Sequence, residues 1–189
     1  MLQVPTRHSN GKLVVTKHFV DTIVEGDSSQ DLQMALILLE RVVHFVHENF
    51  PTRRKIVLQS DNGSAFCSSG VILWISARNA YWRKLGLPTV EKYSFSEPQR
   101  GKTGLDAHFS FVAFKLTQFV KFGGKLLAAK DVYDGVNSGS GIANTSTAVL
   151  KLNRASSHLS TFVKATKKDS VCAASYIAIP IFYYFFGLK

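Results

Sequence analysis

The sequence Lys55-Ile-Val-Leu-Gln-Ser-Asp61-Asn62-Gly63 joins an apolar run to a turn signal. The apolar run in its first half predicts a buried strand, and the Asn-Gly pair that follows predicts a turn. Asp61 comes directly after this strand, where α/β proteins often carry catalytic or metal-binding side chains. A simpler interpretation is also open, in which Asp61 only makes a side-chain-to-backbone hydrogen bond within the turn.

The segments on either side of this stretch alternate between strand and helix patterns. Residues 12–25 are rich in β-branched side chains and partly alternate, which predicts one or two strands. Asp27 and Gln30 have the spacing of a capping box, and the helix that follows should reach about Asn49, before Pro51. The patterns downstream predict a helix at 71–84, a strand at 90–95, a basic loop at 98–104 and a helix at 105–122. This alternation predicts the α/β class.

The last third of the chain gives weaker signals. Residues 128–136 are compatible with a short helix. A polar and basic extension follows at 137–170, and within it residues 147–152 are compatible with a strand. Residues 171–188 carry no charge and, as a helix, would be about 27 Å long, the lower edge of what spans a bilayer. Pro180 interrupts this tail. Three interpretations stay open for it: a buried terminal element, a membrane-seeking tail, or sequence appended after truncation of an original domain.

Composition narrows the class of partner. The chain has 189 residues, 46% of them hydrophobic, which excludes a disordered chain by composition. Its formal net charge of +10 favours polyanionic partners, nucleic acid first and an anionic membrane second. Two cysteines make neither a disulfide framework nor a zinc set, and the N-terminus has no apolar signal segment. These features predict an intracellular protein.

Two familiar motifs fail on their spacing. Gly101-Lys102-Thr103 suggests a phosphate loop, but the position that should carry the first glycine of that motif is Ser96. His44 and His47 are three residues apart, whereas the zinc-protease helix needs histidines four apart.

A third constellation combines two acidic residues with a basic loop. Asp61 follows a predicted strand, and Asp106 lies in the first turn of a predicted helix, where the helix dipole favours an anion. Between them lies Gln99-Arg100-Gly101-Lys102, a loop suited to the phosphate backbone of DNA. Two such carboxylates are suited to holding the divalent ions, Mg²⁺ or Mn²⁺, of a phosphoryl-transfer site.

Three short motifs occur in a fixed order: Ser60-Asp61-Asn62, then Phe95-Ser-Glu-Pro-Gln-Arg-Gly-Lys102, then Leu105-Asp106-Ala-His-Phe-Ser110. In that order they resemble the catalytic half of eukaryotic DNA transposases with a ribonuclease H-like core and an acidic (DDE-type) triad. The resemblance covers about residues 12–136. It implies that Asp61 is the second acidic residue, that Asp106 is the third, and that Gln99, Gly101 and Lys102 form the loop beside the site.

The resemblance also implies a part that this sequence lacks. Such a core carries its first acidic residue on an opening strand, upstream of the strand pair expected within 12–25. Asp21, Asp27 and Asp31 are the acidic candidates in this region, and none stands where the motif would place it. We therefore expect an incomplete ribonuclease H-like mixed sheet flanked by helices at residues 12–136, followed by the extension at 137–170 and the tail at 171–189.

Two functions from different classes follow. The first is a transposase remnant or domesticated fragment of polynucleotidyl transferase ancestry that lacks catalytic activity, because one metal-binding carboxylate is missing. The second is non-enzymatic: a basic protein that binds nucleic acid, or a membrane-associated protein anchored by the tail. The expected partners are DNA bound without sequence preference, and a full-length transposase or a second copy of the chain. The transposase resemblance implies a nuclear location.

Overall fold

The computed structural model describes residues 1–26, 29–60, 63–95 and 104–151, together with the backbone of Ile181–Tyr184. The described residues form four helices and six strands, which confirms the predicted α/β class. In chain order these elements are β1 Leu2–Arg7, β2 Leu13–Glu25, α1 Leu32–Asn49, β3 Lys55–Ser60, α2 Ser69–Lys84, β4 Thr89–Phe95, α3 Gly104–Lys121, α4 Ala129–Asn137, β5 Thr145–Lys151 and β6 Ile181–Tyr184.

The strands form a mixed sheet. Strands β1, β2 and β5 make a three-stranded part, in which β2 is antiparallel to β1 and parallel to β5. Strands β3 and β4 make a parallel pair. The backbone of β6 lies between these two parts, parallel to β1 and antiparallel to β3, so that the order is β4-β3-β6-β1-β2-β5.

Strand β2 changes partner halfway along its length. Its first six residues pair with β1, and its residues from Phe19 onward pair with β5. The turn between β1 and β2 contains Asn10-Gly11, with Gly11 at φ 77°, in the left-handed region that glycine adopts without strain. The region read as one or two strands is therefore one strand, and its hairpin partner β1 was not predicted.

Helix α1 forms the base of the main core. Its apolar face belongs to one cluster with Leu2 and Val4 of β1 and with Ile56 and Leu58 of β3, so the helix packs across both strands. Asp31 caps the helix, because its carboxylate accepts a hydrogen bond from the backbone N–H of Met34 at 3.0 Å. The capping box expected at Asp27 and Gln30 is thus wrong, and the helix begins at Leu32.

Helices α1 and α2 are joined by a polar cluster at a close crossing. Glu40 accepts hydrogen bonds from Arg78 Nε at 2.6 Å and from the indole N–H of Trp82 at 3.1 Å. A Cβ on Gly70 would lie 2.6 Å from Leu32 Cδ2, so a larger residue there would require the Leu32 side chain to shift.

Helix α3 packs at the β1–β2 side of the sheet. Its buried residues are Leu105 and His108, which contact Met1, Phe19 and Asp21. Farther along, Leu116 and Phe119 lie against Gly135 of α4. Several large apolar side chains of α3 are exposed, among them Phe111 and Phe114.

Within the described ranges, none of the helices combines the length and the hydropathy that crossing a bilayer requires.

Candidate functional site

The parallel strands β3 and β4 end side by side. Ser60 at the end of β3 is paired with Phe95 at the end of β4. The Ser60 side chain is fully buried and its hydroxyl lies 3.0 Å from the hydroxyl of Tyr93, which in turn donates to the carbonyl of Phe66 at 3.0 Å. These bonds tie the end of β3 to β4 and to the segment that leads into α2.

Most of the predicted site residues follow these two strand ends. Asp61 comes directly after Ser60, and residues 96–103 come directly after Phe95. Asp61, Gln99, Arg100, Gly101 and Lys102 all lie outside the described residues, so their placement as catalytic, metal-binding or DNA-binding residues stays a prediction.

The start of α3 lies at the same end of the sheet. Leu58 of β3 and Leu2 of β1 are both register partners of Tyr183, so the beginning of β1 is level with the end of β3. Met1 packs against Leu105, and a Cβ on Gly104 would lie 3.5 Å from Met1 Sδ. The first turn of α3 is therefore near the edge at which β3 and β4 end.

Asp106 is the predicted site residue that the structure describes. It is exposed and stands in the first turn of α3, where the partial positive charge of the helix end favours a carboxylate. Its backbone carbonyl accepts a hydrogen bond from the Ser110 hydroxyl at 3.0 Å. An exposed acidic side chain there is free of any burial cost, so this position is compatible with binding a cation.

A hydrogen-bonded pair, His108 of α3 and Asp21 of β2, was not predicted from the sequence. His108 Nε2 lies 2.9 Å from each carboxylate oxygen of Asp21, and the imidazole is stacked on Phe19 with ring centroids 4.0 Å apart. The His108 side chain is 2% exposed and that of Asp21 is 19% exposed. The pair fixes the first turn of α3 to β2, so Asp21 has a structural partner.

The signal for this pair was present but ambiguous. His108 belongs to the Leu105–Ser110 motif, and Asp21 was considered as a candidate for the first acidic residue. The two residues are 87 positions apart, and local spacing does not connect residues at that separation.

An apolar cavity of about 310 Å³ adjoins the pair. It is lined mainly by residues of β2, α1, α3 and α4, and its polar lining residues include Asp21, Arg41 and Thr147. Burial lowers the pKa of the Met1 amino group in its wall to about 6, and the Asp21 carboxylate opposes that shift.

The described residues contain no group of three histidine, cysteine or acidic side chains that could hold a metal ion. Asp106 contributes one carboxylate, and Asp21 is engaged by His108. The described side chains thus do not form a divalent-metal site by themselves.

Comparison of the chain with family models, with curated proteins and with solved structures gives no match.

Proposed function

We propose that this chain is a transposase-derived DNA-binding protein with an incomplete ribonuclease H-like core, and that it does not catalyse strand transfer. The observation that carries the proposal is the common end of the sheet where β3, β4 and the first turn of α3 meet. The motifs Ser60–Asn62, Phe95–Lys102 and Leu105–Ser110 begin or end at these three points. The described strand ends and helix start that border these motifs lie at one edge of the sheet, which supports a common site.

This edge suits a polyanion. The segment that joins the end of β4 to the start of α3 carries Arg100 and Lys102 and spans only residues 96–103, so its two anchors are both at this edge. The chain as a whole has a net charge of +10. Contacts of lysine and arginine with phosphates supply affinity without sequence preference.

The salt dependence of DNA binding tests this interface. We expect the Arg100→Ala/Lys102→Ala double variant to bind duplex DNA more weakly and to lower the slope of log K against log salt by up to about 1.8, that is about 0.9 for each lost phosphate contact. The matched control is Arg83→Ala/Lys84→Ala, which removes the same charge from the exposed end of α2.

The control pair stands just before β4 begins, at the end of that strand opposite to Phe95. The Arg83→Ala/Lys84→Ala variant should change the salt slope by less than about 0.9, the value for one phosphate contact. An unchanged slope in the Arg100→Ala/Lys102→Ala variant, or equal changes in both variants, would contradict the proposed interface.

The absence of strand transfer has its own test. The resemblance supplies two carboxylates, Asp61 and Asp106, and in-line displacement with two metal ions needs more ligands than these. We expect the purified chain not to nick supercoiled DNA in Mg²⁺ or Mn²⁺. Nicking that Asp61→Asn abolishes would overturn the claim of inactivity while leaving the DNA-binding proposal intact.

A partner with a complete site fits this reading. A full-length transposase or a second copy of the chain could bind the same DNA beside this protein, and such a partner would be recruited through DNA rather than through the catalytic residues. Size-exclusion chromatography with and without duplex DNA distinguishes DNA-dependent association from direct self-association.

A further inference from the structure

We propose that the space between β1 and β3 is a strand-binding site, and that the chain's own segment Ile181–Tyr184 is its occupant, held in cis and exchangeable for a free strand of the same sequence. The observation behind this proposal is the strand order, in which β6 separates β3 from β1 although it follows all the other strands in the chain. We call this space the β1–β3 slot.

The slot lies in the interior of the sheet. Its two walls carry core residues, namely Leu2 and Val4 on β1 and Ile56 and Leu58 on β3, and all four are buried. Strands that face such a space offer unpaired backbone N–H and C=O groups unless another strand lies between them. The two walls therefore favour one inserted strand.

The slot has a preformed base. Helix α1 packs across both walls in one apolar cluster, so β1 and β3 are held in place by contacts that do not involve β6. Neighbouring strands are about 4.8 Å apart, and a space of two such distances accepts a single strand. A site that is built by other elements can accept a strand, release it and accept it again.

The tail has the properties of the occupant. Ile-Phe-Tyr-Tyr is made of β-branched and aromatic residues, which favour strands. The preceding Pro180 lacks the N–H that a central strand position needs, which is consistent with a strand that begins at Ile181. Residues 152–180 connect β5 to β6, and about 30 extended residues reach about 100 Å, far more than the width of the sheet. The segment can therefore reach the slot of its own chain.

The register favours exchange. Strand β6 is paired with β3 at four positions but with β1 at only two. A strand of four residues makes few backbone hydrogen bonds, and its advantage over a free strand is its tether, which is equivalent to an effective concentration of about a millimolar. When the tethered strand is displaced, the slot becomes available to an extended segment in trans by strand addition.

Cross-linking tests the occupant directly. Gln59 and Phe182 are register partners in the antiparallel pair, so cysteines at these two positions lie within disulfide reach. In a background of Cys67→Ser and Cys172→Ser, we expect Gln59→Cys/Phe182→Cys to form an intramolecular disulfide under mild oxidation. The matched control is Lys55→Cys/Phe182→Cys, because Lys55 is at the other end of β3, about 13 Å farther along the strand.

Two outcomes would overturn the proposal. Equal yields in the two variants would show that the tail has no fixed register in the slot. A disulfide-linked dimer in place of the intramolecular product would show that the occupant comes from a second copy.

Exchange is tested in the full chain with Phe182→Pro/Tyr184→Pro, which removes two backbone donors of β6. A fluorescent peptide of residues 177–186, flanked by lysines for solubility, should bind this variant at least tenfold more tightly than it binds the unaltered chain. Equal affinities, or no binding to a variant that keeps its circular dichroism, would overturn exchange. The proposal does not involve the basic loop, so these results are independent of DNA binding.

Discussion

Replacing Asp21 with alanine should lower the free energy of unfolding by about 2 kcal/mol. The change removes the carboxylate that lies 2.9 Å from His108 Nε2, while the imidazole stays 2% exposed and stacked on Phe19. A buried donor or acceptor left without a partner costs about 1–3 kcal/mol. Asp21 is 19% exposed, so water can reach part of the vacated space, which places the expected loss near the middle of that range.

Two further variants separate the hydrogen bond from other effects. Asp21→Asn retains an oxygen acceptor and should cost less than about 1 kcal/mol. Glu91→Ala removes an acidic residue from another strand, where its partner Lys55 is 59% exposed, and pairs of that kind contribute about 0–1 kcal/mol. Urea unfolding followed by circular dichroism gives all three values, provided that the slope against urea is the same in each variant.

The refuting result is a loss for Asp21→Ala equal to that for Glu91→Ala within about 0.5 kcal/mol. It would mean that the imidazole is satisfied elsewhere and that the pair does not hold α3 to β2. Hydrogen exchange provides a second measure, because loss of the pair should accelerate exchange in the first turns of α3 more than in α1.

Two further substitutions should each affect stability. Glu40→Ala removes the partner of Arg78 and the acceptor for the buried Trp82 indole. We expect this change to lower the free energy of unfolding, measured in urea, by about 2–4 kcal/mol. The control Glu48→Ala, on the exposed face of the same helix, should change it by less than about 0.5 kcal/mol. Tyr93→Phe removes the hydroxyl that ties the end of β3 to the segment before α2 and should cost about 1–2 kcal/mol in the same assay, and a loss below about 0.3 kcal/mol would contradict that role.

The elements with strong local periodicity could be predicted from the sequence. The apolar run Ile56–Leu58 became a buried strand, and the three- and four-residue steps of α1 and α3 gave helices close to the expected limits. These patterns are local, because a strand or helix that buries one face must repeat its apolar residues at the period of that element.

The helix cap and the first strand were predicted wrongly or missed because local sequence alone did not distinguish between alternatives. Asp27 and Asp31 both precede the first helix, and which one caps it depends on where the chain leaves β2; the structure selects Asp31. Strand β1 was not predicted; it contains Pro5, which disfavours a strand, yet Asn10-Gly11 is a hairpin signal that was present in the sequence.

From the sequence, the candidate site could be described only as three motifs in a fixed order. That the ends of β3 and β4 and the first turn of α3 converge depends on the sheet register, which no single segment encodes. The bond between Asp21 and His108 joins residues far apart in sequence, so it becomes visible only when α3 is folded against β2. Asp61 and the loop Gln99–Lys102 remain sequence predictions, since they lie outside the described residues.

The partner change along β2 has a consequence for biosynthesis. The second half of β2 pairs with β5, and about 120 residues separate the end of Glu25 from the start of Thr145. At about 5–20 residues per second, a ribosome needs roughly 6–24 s to supply that distance. Throughout this interval the nascent chain presents an unpaired β-branched strand, and pairing at such long sequence separation is intrinsically slow. Synthesis rate and chaperone occupancy should therefore influence how much of this protein reaches its folded state in a cell.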